Sequence, residues 1–162
     1  MRRALLILLV AATAFAAPSQ SVDSGANPAE TRGGWEPLKA AIEQYLGRPY
    51  VWGACGLKSF DCSGFVWRVM ADNGILIKRT TARKLYMSLP RVSGNQRFES
   101  GNIVFFDNLK HCGIVASDRH FYHAETSIGT NLSKFDPYWR PKITGIRAMP
   151  PVEASSPGPK RQ

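Results

Sequence analysis

The chain is poor in cysteine, with three residues in 162: Cys55, Cys62 and Cys112. So small and odd a number excludes the disulfide-stapled scaffold of many small secreted proteins. Acidic side chains are also scarce, twelve Asp and Glu against twenty-one Lys and Arg, for a formal charge of +9. The long apolar run, Ala4 to Phe15, falls short of the ~20 residues a spanning helix requires. Internal repeats are lacking, and so are the CxxC and HxxxH spacings of a closed zinc site. With 44% hydrophobic and 20% charged residues the composition is that of a folded domain, which excludes collagenous and disordered chains. An enzyme and a basic binding module both remain.

Arg2 and Arg3 precede the apolar run, and Ala14-Phe15-Ala16 has the small-x-small pattern of a cleavage site. Residues 1–16 therefore read as a signal peptide, which places the mature protein in the periplasm or outside the cell. No cysteine follows the run, so neither a lipid anchor nor another stable membrane anchor is expected. Residues 17–34 are rich in Ser, Gly, Ala and Pro and read as a flexible leader. Residues 150–162, PPVEASSPGPKRQ, read as a disordered Pro-rich tail. The folded unit is then 35–149, about one domain. Loss of Arg2 and Arg3 lowers the charge from +9 to +7, and the unit itself carries sixteen basic and nine acidic residues. Such an excess suits attraction to an anionic envelope. No recognition motif or basic helix points to nucleic acid.

Within the unit, Pro37 suits a first helical position, with Leu38, Ala41, Ile42, Tyr45 and Leu46 at helical spacing and Gly47 as the stop. Arg48 to Phe60 reads as an irregular aromatic loop. A second helix starts from Asp61 as N-cap, buries Phe65, Val66, Val69 and Met70, and ends at Asn73-Gly74. A third, shorter helix follows Thr80 or Thr81. After Pro90 the pattern becomes extended, with strands expected at 102–107, 111–116, 120–124 and 143–149. Helices first and antiparallel strands later predict an α+β fold.

Cys62 falls in the first turn of the second helix, where free N–H groups and the helix dipole favour a thiolate. A turn centred near Ser117 sets His111 opposite His123 on one sheet face. One imidazole can then take the thiol proton while the other orients it. Zinc is the competing use of Cys62, His111, Cys112 and His123. Strand alternation sends Cys112 to the face opposite His111, so three same-face groups suit a Cys-His-His triad, and no metal or cofactor is expected.

Tyr50-Val-Trp-Gly53, Asp61-Cys-Ser-Gly-Phe65, Gly101-Asn-Ile-Val-Phe-Phe106, His111-Cys-Gly-Ile-Val115 and Tyr122-His-Ala124 follow the order and spacing of NlpC/P60 cell-wall hydrolases. The sequence resembles that family over about 35–149. The resemblance implies a papain-like fold with N-terminal helices packed on an antiparallel sheet. It also implies hydrolysis of peptidoglycan stem peptides, usually between D-glutamate and the diamino acid. Cys62 would be nucleophile, His111 general base and His123 orienting residue. Tyr50 would serve the oxyanion, and Asp61 and Ser63 would hold the stem peptide.

Each assignment has a structural competitor. Asp61 and Ser63 can simply cap the helix, Tyr50 and Trp52 can be core aromatics, and Glu125 shares the parity of His123. Asn102 stands where relatives commonly carry Asp, Cys112 where valine is common, and Cys55 where glycine often follows. A Cys55–Cys112 disulfide that leaves Cys62 free is one expectation. Alternatives to the peptidase are a non-catalytic wall-binding module and a thiol acyltransferase of the same superfamily. The expected partner is peptidoglycan, met by a monomer, with targeting left to the catalytic domain or to a protein partner.

Overall fold

The computed structural model describes residues 34–151. The expected signal peptide, nearly all of the leader and most of the tail lie outside the described residues. Helix α1 (Trp35–Glu43) buries Leu38, Ala41 and Ile42, with Pro37 as its third residue rather than its first. Tyr45 follows in a turn, and its hydroxyl reaches Asp72 Oδ2 at 2.5 Å. Leu46, expected on the buried stripe, is exposed instead, because the chain has already left the helix. Gly47 makes the reversal at φ 75°.

Helix α2 (Cys62–Asp72) starts and stops where its capping residues place it, with Asp61 as N-cap and Asn73 as C-cap. Phe65, Val66, Val69 and Met70 are fully buried, each worth ~1.5–3 kcal/mol of apolar transfer. Helix α3 (Ala82–Ser88) is capped by the Thr81 hydroxyl, which accepts from the Lys84 N–H. The antiparallel sheet has the order β4-β3-β2-β1-β5, from β1 (Ile103–Phe106), β2 (His111–Val115), β3 (His120–Glu125), β4 (Gly129–Lys134) and β5 (Ile143–Arg147). With three helices against five strands, the α+β expectation holds.

Alternation gives the sheet two apolar faces. Ile103, Phe105, Cys112, Ile114, Tyr122 and Ala124 join the helices in the main core. Val104, Phe106, Val115, Phe121 and Ile146 point the other way, covered by Phe135 and Trp139. Strand β4 was not expected. Its sequence, GTNLSK, has a single large apolar residue, and only its first two positions are buried. Thr130 ties it to the first loop, accepting from the Arg48 N–H at 2.8 Å and donating to the Tyr45 carbonyl. Asn102 is buried, and its Nδ2 donates to the Gln96 carbonyl at 2.7 Å, which a carboxylate could not do. No helix among the described residues is long and apolar enough to cross a membrane.

Candidate active site

The loop before α2 is shaped around one carboxylate. Asp61 Oδ1 accepts from the Gly64 N–H at 2.6 Å and from the Ser63 hydroxyl at 3.0 Å. Its Oδ2 accepts from the Gly53 N–H at 2.9 Å and from Arg79 Nη2 at 2.6 Å. Arg79 Nη1 also donates to Ser63 Oγ at 3.0 Å. Asp61 thus caps the helix and binds a cation with the same side chain, so the capping and site readings of Asp61 and Ser63 are compatible. Gly64 is required by packing, since a Cβ there would lie 2.1 Å from the Ala54 carbonyl oxygen.

This cap sets Cys62 at the mouth of the helix, 7% exposed. Its thiol is held down to about 5, from an ordinary 9.0. Hydrogen bonding to Cys112 is the largest cause; burial opposes it, and His111 lowers it further by hydrogen bond and charge. The first-turn N–H groups of α2 act in the same direction. The fully buried Cys112 is pushed the opposite way, by its bond to Cys62 and by desolvation. All three cysteines are free, so the expected Cys55–Cys112 bridge is not formed. The physical reason is the sheet face: Cys112 points into the helical core, where its neighbour is Cys62.

His111 opens β2, and its Nε2 lies 2.8 Å from His123 Nδ1. The register sets Gly113, not His111, opposite His123. The turn is centred on Asp118, one residue later than expected, which moves the pairing by two positions and so keeps both histidines on one face. Because Gly113 has no side chain, His123 can lean across it to the diagonal His111. His123 is fully buried and held down to about 3, by desolvation first and by His111 second. Its Nε2 meets Ser133 Oγ at 2.9 Å, whereas Glu125 Oε2 is 3.8 Å away. Glu125 therefore sits behind His123 rather than replacing it.

A cleft of about 430 Å³ opens at Cys62, bounded by Tyr50, Trp52, Asp61, Ser63, Arg79, Arg83, Leu109 and Lys110. Half-buried Tyr50 has its phenol pushed up by burial and by the Cys62 charge, which marks it as a neutral donor beside the sulfur. Trp52 is 86% exposed at the rim, so the core-aromatic alternative fails for it. Sequence reasoning passed over Arg79 and Trp139. The Trp139 ring stacks on His111 at 5.6 Å and meets His123 edge-on at 5.0 Å, packing against both imidazoles. Neither residue has a local pattern to betray it; each acts across a long chain separation. Among the described residues no group of three His, Cys, Asp or Glu side chains could hold a metal ion.

The arrangement provides a thiolate, a base held by a second imidazole, and donors beside the sulfur, which is equipment for acyl transfer. Over 91 residues the chain is 37% identical to a probable endopeptidase p60 of Listeria innocua, a match covering 54% of this chain and 19% of that protein. It is 30% identical over 115 residues to the probable peptidoglycan endopeptidase LytE of Bacillus subtilis, covering 68% of this chain and 33% of that one. Both matches take in a third or less of the relative's length. The crystal structure of an NLP/P60-family protein similar to lipoprotein from Staphylococcus aureus superposes with a TM-score of 0.62 at 28% identity, over 70% of this chain and 40% of that one. The NlpC/P60 family model matches residues 47–148, from the loop before Tyr50 to the end of the sheet, and the chain belongs to the NlpC/P60 family.

Proposed function

We propose that the protein is an exported cysteine peptidase hydrolysing peptidoglycan stem peptides at the bond between D-glutamate and the diamino acid. Residues 35–149 form the catalytic unit, behind a signal peptide at 1–16. The Cys62 thiolate attacks the amide carbonyl, and the oxyanion is met by the Cys62 N–H at the start of α2 and by the Tyr50 hydroxyl. His111, steadied by His123, protonates the leaving amine to give an acyl-enzyme, then activates the water that releases the acid. Asp61 and Ser63, joined by Arg79, form the polar end of the cleft that receives the stem peptide.

The observation that carries this reading is the lowered Cys62 thiol beside an imidazole that a second, neutral imidazole holds. A wall-binding module has no use for such a thiolate. Defined muropeptides incubated with the purified full chain should yield stem-peptide fragments, identified by mass spectrometry. Cys62→Ala should abolish them without loss of fold. Equal digestion by Cys62→Ala would reject the mechanism, and a hydrolytically inert wild type that co-sediments with insoluble peptidoglycan would favour the binding module.

A further inference from the structure

Strand β4, silent in the sequence pattern, carries a run of side chains that ends on the histidine pair. We propose that Asn131 and Ser133 are positioning residues that fix the tautomers of both histidines and leave His111 Nδ1 as the proton-accepting atom toward Cys62. The inference rests on the peptidase reading for its catalytic meaning, but its geometry stands without it.

The logic starts from a group with one hydrogen-bonding role. The Gly129 carbonyl can only accept, and Asn131 Nδ2 donates to it at 2.9 Å. That settles the amide orientation and turns Asn131 Oδ1 toward Ser133, whose hydroxyl donates to it at 2.9 Å. With its single hydrogen spent there, Ser133 Oγ can only accept from His123 Nε2, 2.9 Å away. Glu125 Oε2, 3.8 Å from that nitrogen, is also an acceptor and favours the same state, as does the Asn131 side chain, which faces the ring from directly across the strand pair. His123 neutral with its proton on Nε2 has a bare Nδ1. That lone pair accepts from His111 Nε2–H at 2.8 Å. A neutral His111 with its proton on Nε2 has its free lone pair on Nδ1.

Burial makes the chain of bonds unidirectional. His123 is wholly inaccessible and Trp139 packs on both rings, so no water reaches His123 to reverse the sense of its two bonds. The proton taken from Cys62 therefore sits on His111 Nδ1, where it faces the leaving group, while Nε2 never gives up its own.

The test is long-range nitrogen–proton correlation spectroscopy of the full-length Cys62→Ala chain with nitrogen-labelled histidine, His120 serving as the surface reference. The expected result, at a pH where both rings are neutral, is Nε2–H for His111 and His123; Nδ1–H with a bare Nε2 on either would overturn the proposal. In steady-state assays of the enzyme, Ser133→Ala should lower kcat about fivefold, the effect of one neutral hydrogen bond, with KM unchanged. Ser133→Thr, which restores the hydroxyl, should recover that loss. A Ser133→Ala enzyme with wild-type kcat, or one that Thr fails to rescue, would reduce β4 to a structural edge and reject the assignment. The spectra need no substrate, so an inert wild type would sink the peptidase reading and leave the tautomers standing.

Discussion

Gly113→Ala is the sharpest single perturbation of the site, because the methyl enters between the strands that hold the histidines. A Cβ at this position would lie 2.5 Å from the Tyr122 carbonyl oxygen and 3.1 Å from His123 Cβ. Ordinary contact requires β2 and β3 to part by ~0.5–1 Å, and no rotamer relieves it, since the clash is with backbone. The His111–His123 bond is 2.8 Å long. Lengthened by the same amount it lies at or beyond the limit of a useful hydrogen bond, ~3.3–3.8 Å. Misplacement of a reacting group by 1 Å costs ~10²-fold, so kcat should fall roughly 10- to 100-fold. Stability should fall by ~1–3 kcal/mol, the usual cost of overpacking.

The assay pairs kcat on a defined muropeptide with urea unfolding of the same sample. Gly145→Ala supplies the control: its Cβ would meet the Tyr86 ring at 2.8 Å, on β5, away from the histidines. It should lose comparable stability and keep its kcat. A folded Gly113→Ala enzyme with kcat within about threefold of wild type would refute the reasoning, because the 1 Å argument leaves no room for so small an effect. Equal loss of kcat in both variants would refute it too, by tracing the effect to general loosening.

Three further outcomes follow from the same geometry. Alkylation of Cys62 by iodoacetamide should level off above pH about 5 and fall roughly tenfold per pH unit below it, because a lowered thiol value keeps the thiolate populated down to that pH. Cys112→Val, which removes the largest lowering cause, should move the inflection upward; a wild-type inflection near 9 would contradict the thiolate. Asp61→Ala should cost ~2–4 kcal/mol in urea unfolding, since it strips Gly53 and Gly64 of their acceptor and Arg79 of its partner, discounted for the part of Arg79 that water reaches. A loss under about 1 kcal/mol, the value of a simple cap, would mean that Arg79 finds another partner. Cys55→Ser should leave stability within about 0.5 kcal/mol, and intact mass of the wild type under non-reducing conditions should show no Cys55–Cys112 crosslink.

Legibility in the sequence followed the range of the forces. Helix α2 was readable to the residue because its signals are local: a capping carboxylate, four apolar residues at helical spacing, and an Asn-Gly stop. Strands β1, β2 and β3 announced themselves through apolar runs that the two-faced sheet buries. Strand β4 did not, because an edge strand held by Thr130 and by backbone bonds needs no apolar alternation. Parity along β2 was read correctly, with His111 and Cys112 on opposite faces, yet the conclusion that Cys112 lies away from Cys62 was wrong. Alternation tells which residues share a face, not which face the helix covers. Arg79 sits in a polar stretch, Lys78 to Thr81, that reads as solvated, and only the fold shows that it closes onto Asp61.

That error about Cys112 exposes the problem the fold has to solve at this site. The proposed nucleophile, Cys62, comes from the helical layer on one face of the sheet, and its proposed base, His111, belongs to the opposite face. They can meet only where a strand begins, and His111 is the first residue of β2. The turn before it is three successive left-handed residues, Asp107, Asn108 and Leu109, with φ of 48°, 54° and 67° and no glycine among them. Such a turn costs ~1–2 kcal/mol per residue and persists only when its surroundings hold it. Here Asp107 N–H donates to the Lys142 carbonyl at 3.0 Å, Asn108 N–H to Thr144 Oγ1 at 2.9 Å, and Arg83 Nη2 to the Asn108 carbonyl at 3.0 Å. The tight reversal brings the Lys110 carbonyl to 4.0 Å from Cys62 Sγ and starts β2 at once, with its first side chain at the sheet's end rather than over its face. A relaxed, longer turn would carry His111 away from the rim, and the thiolate and its base would then be divided by the sheet.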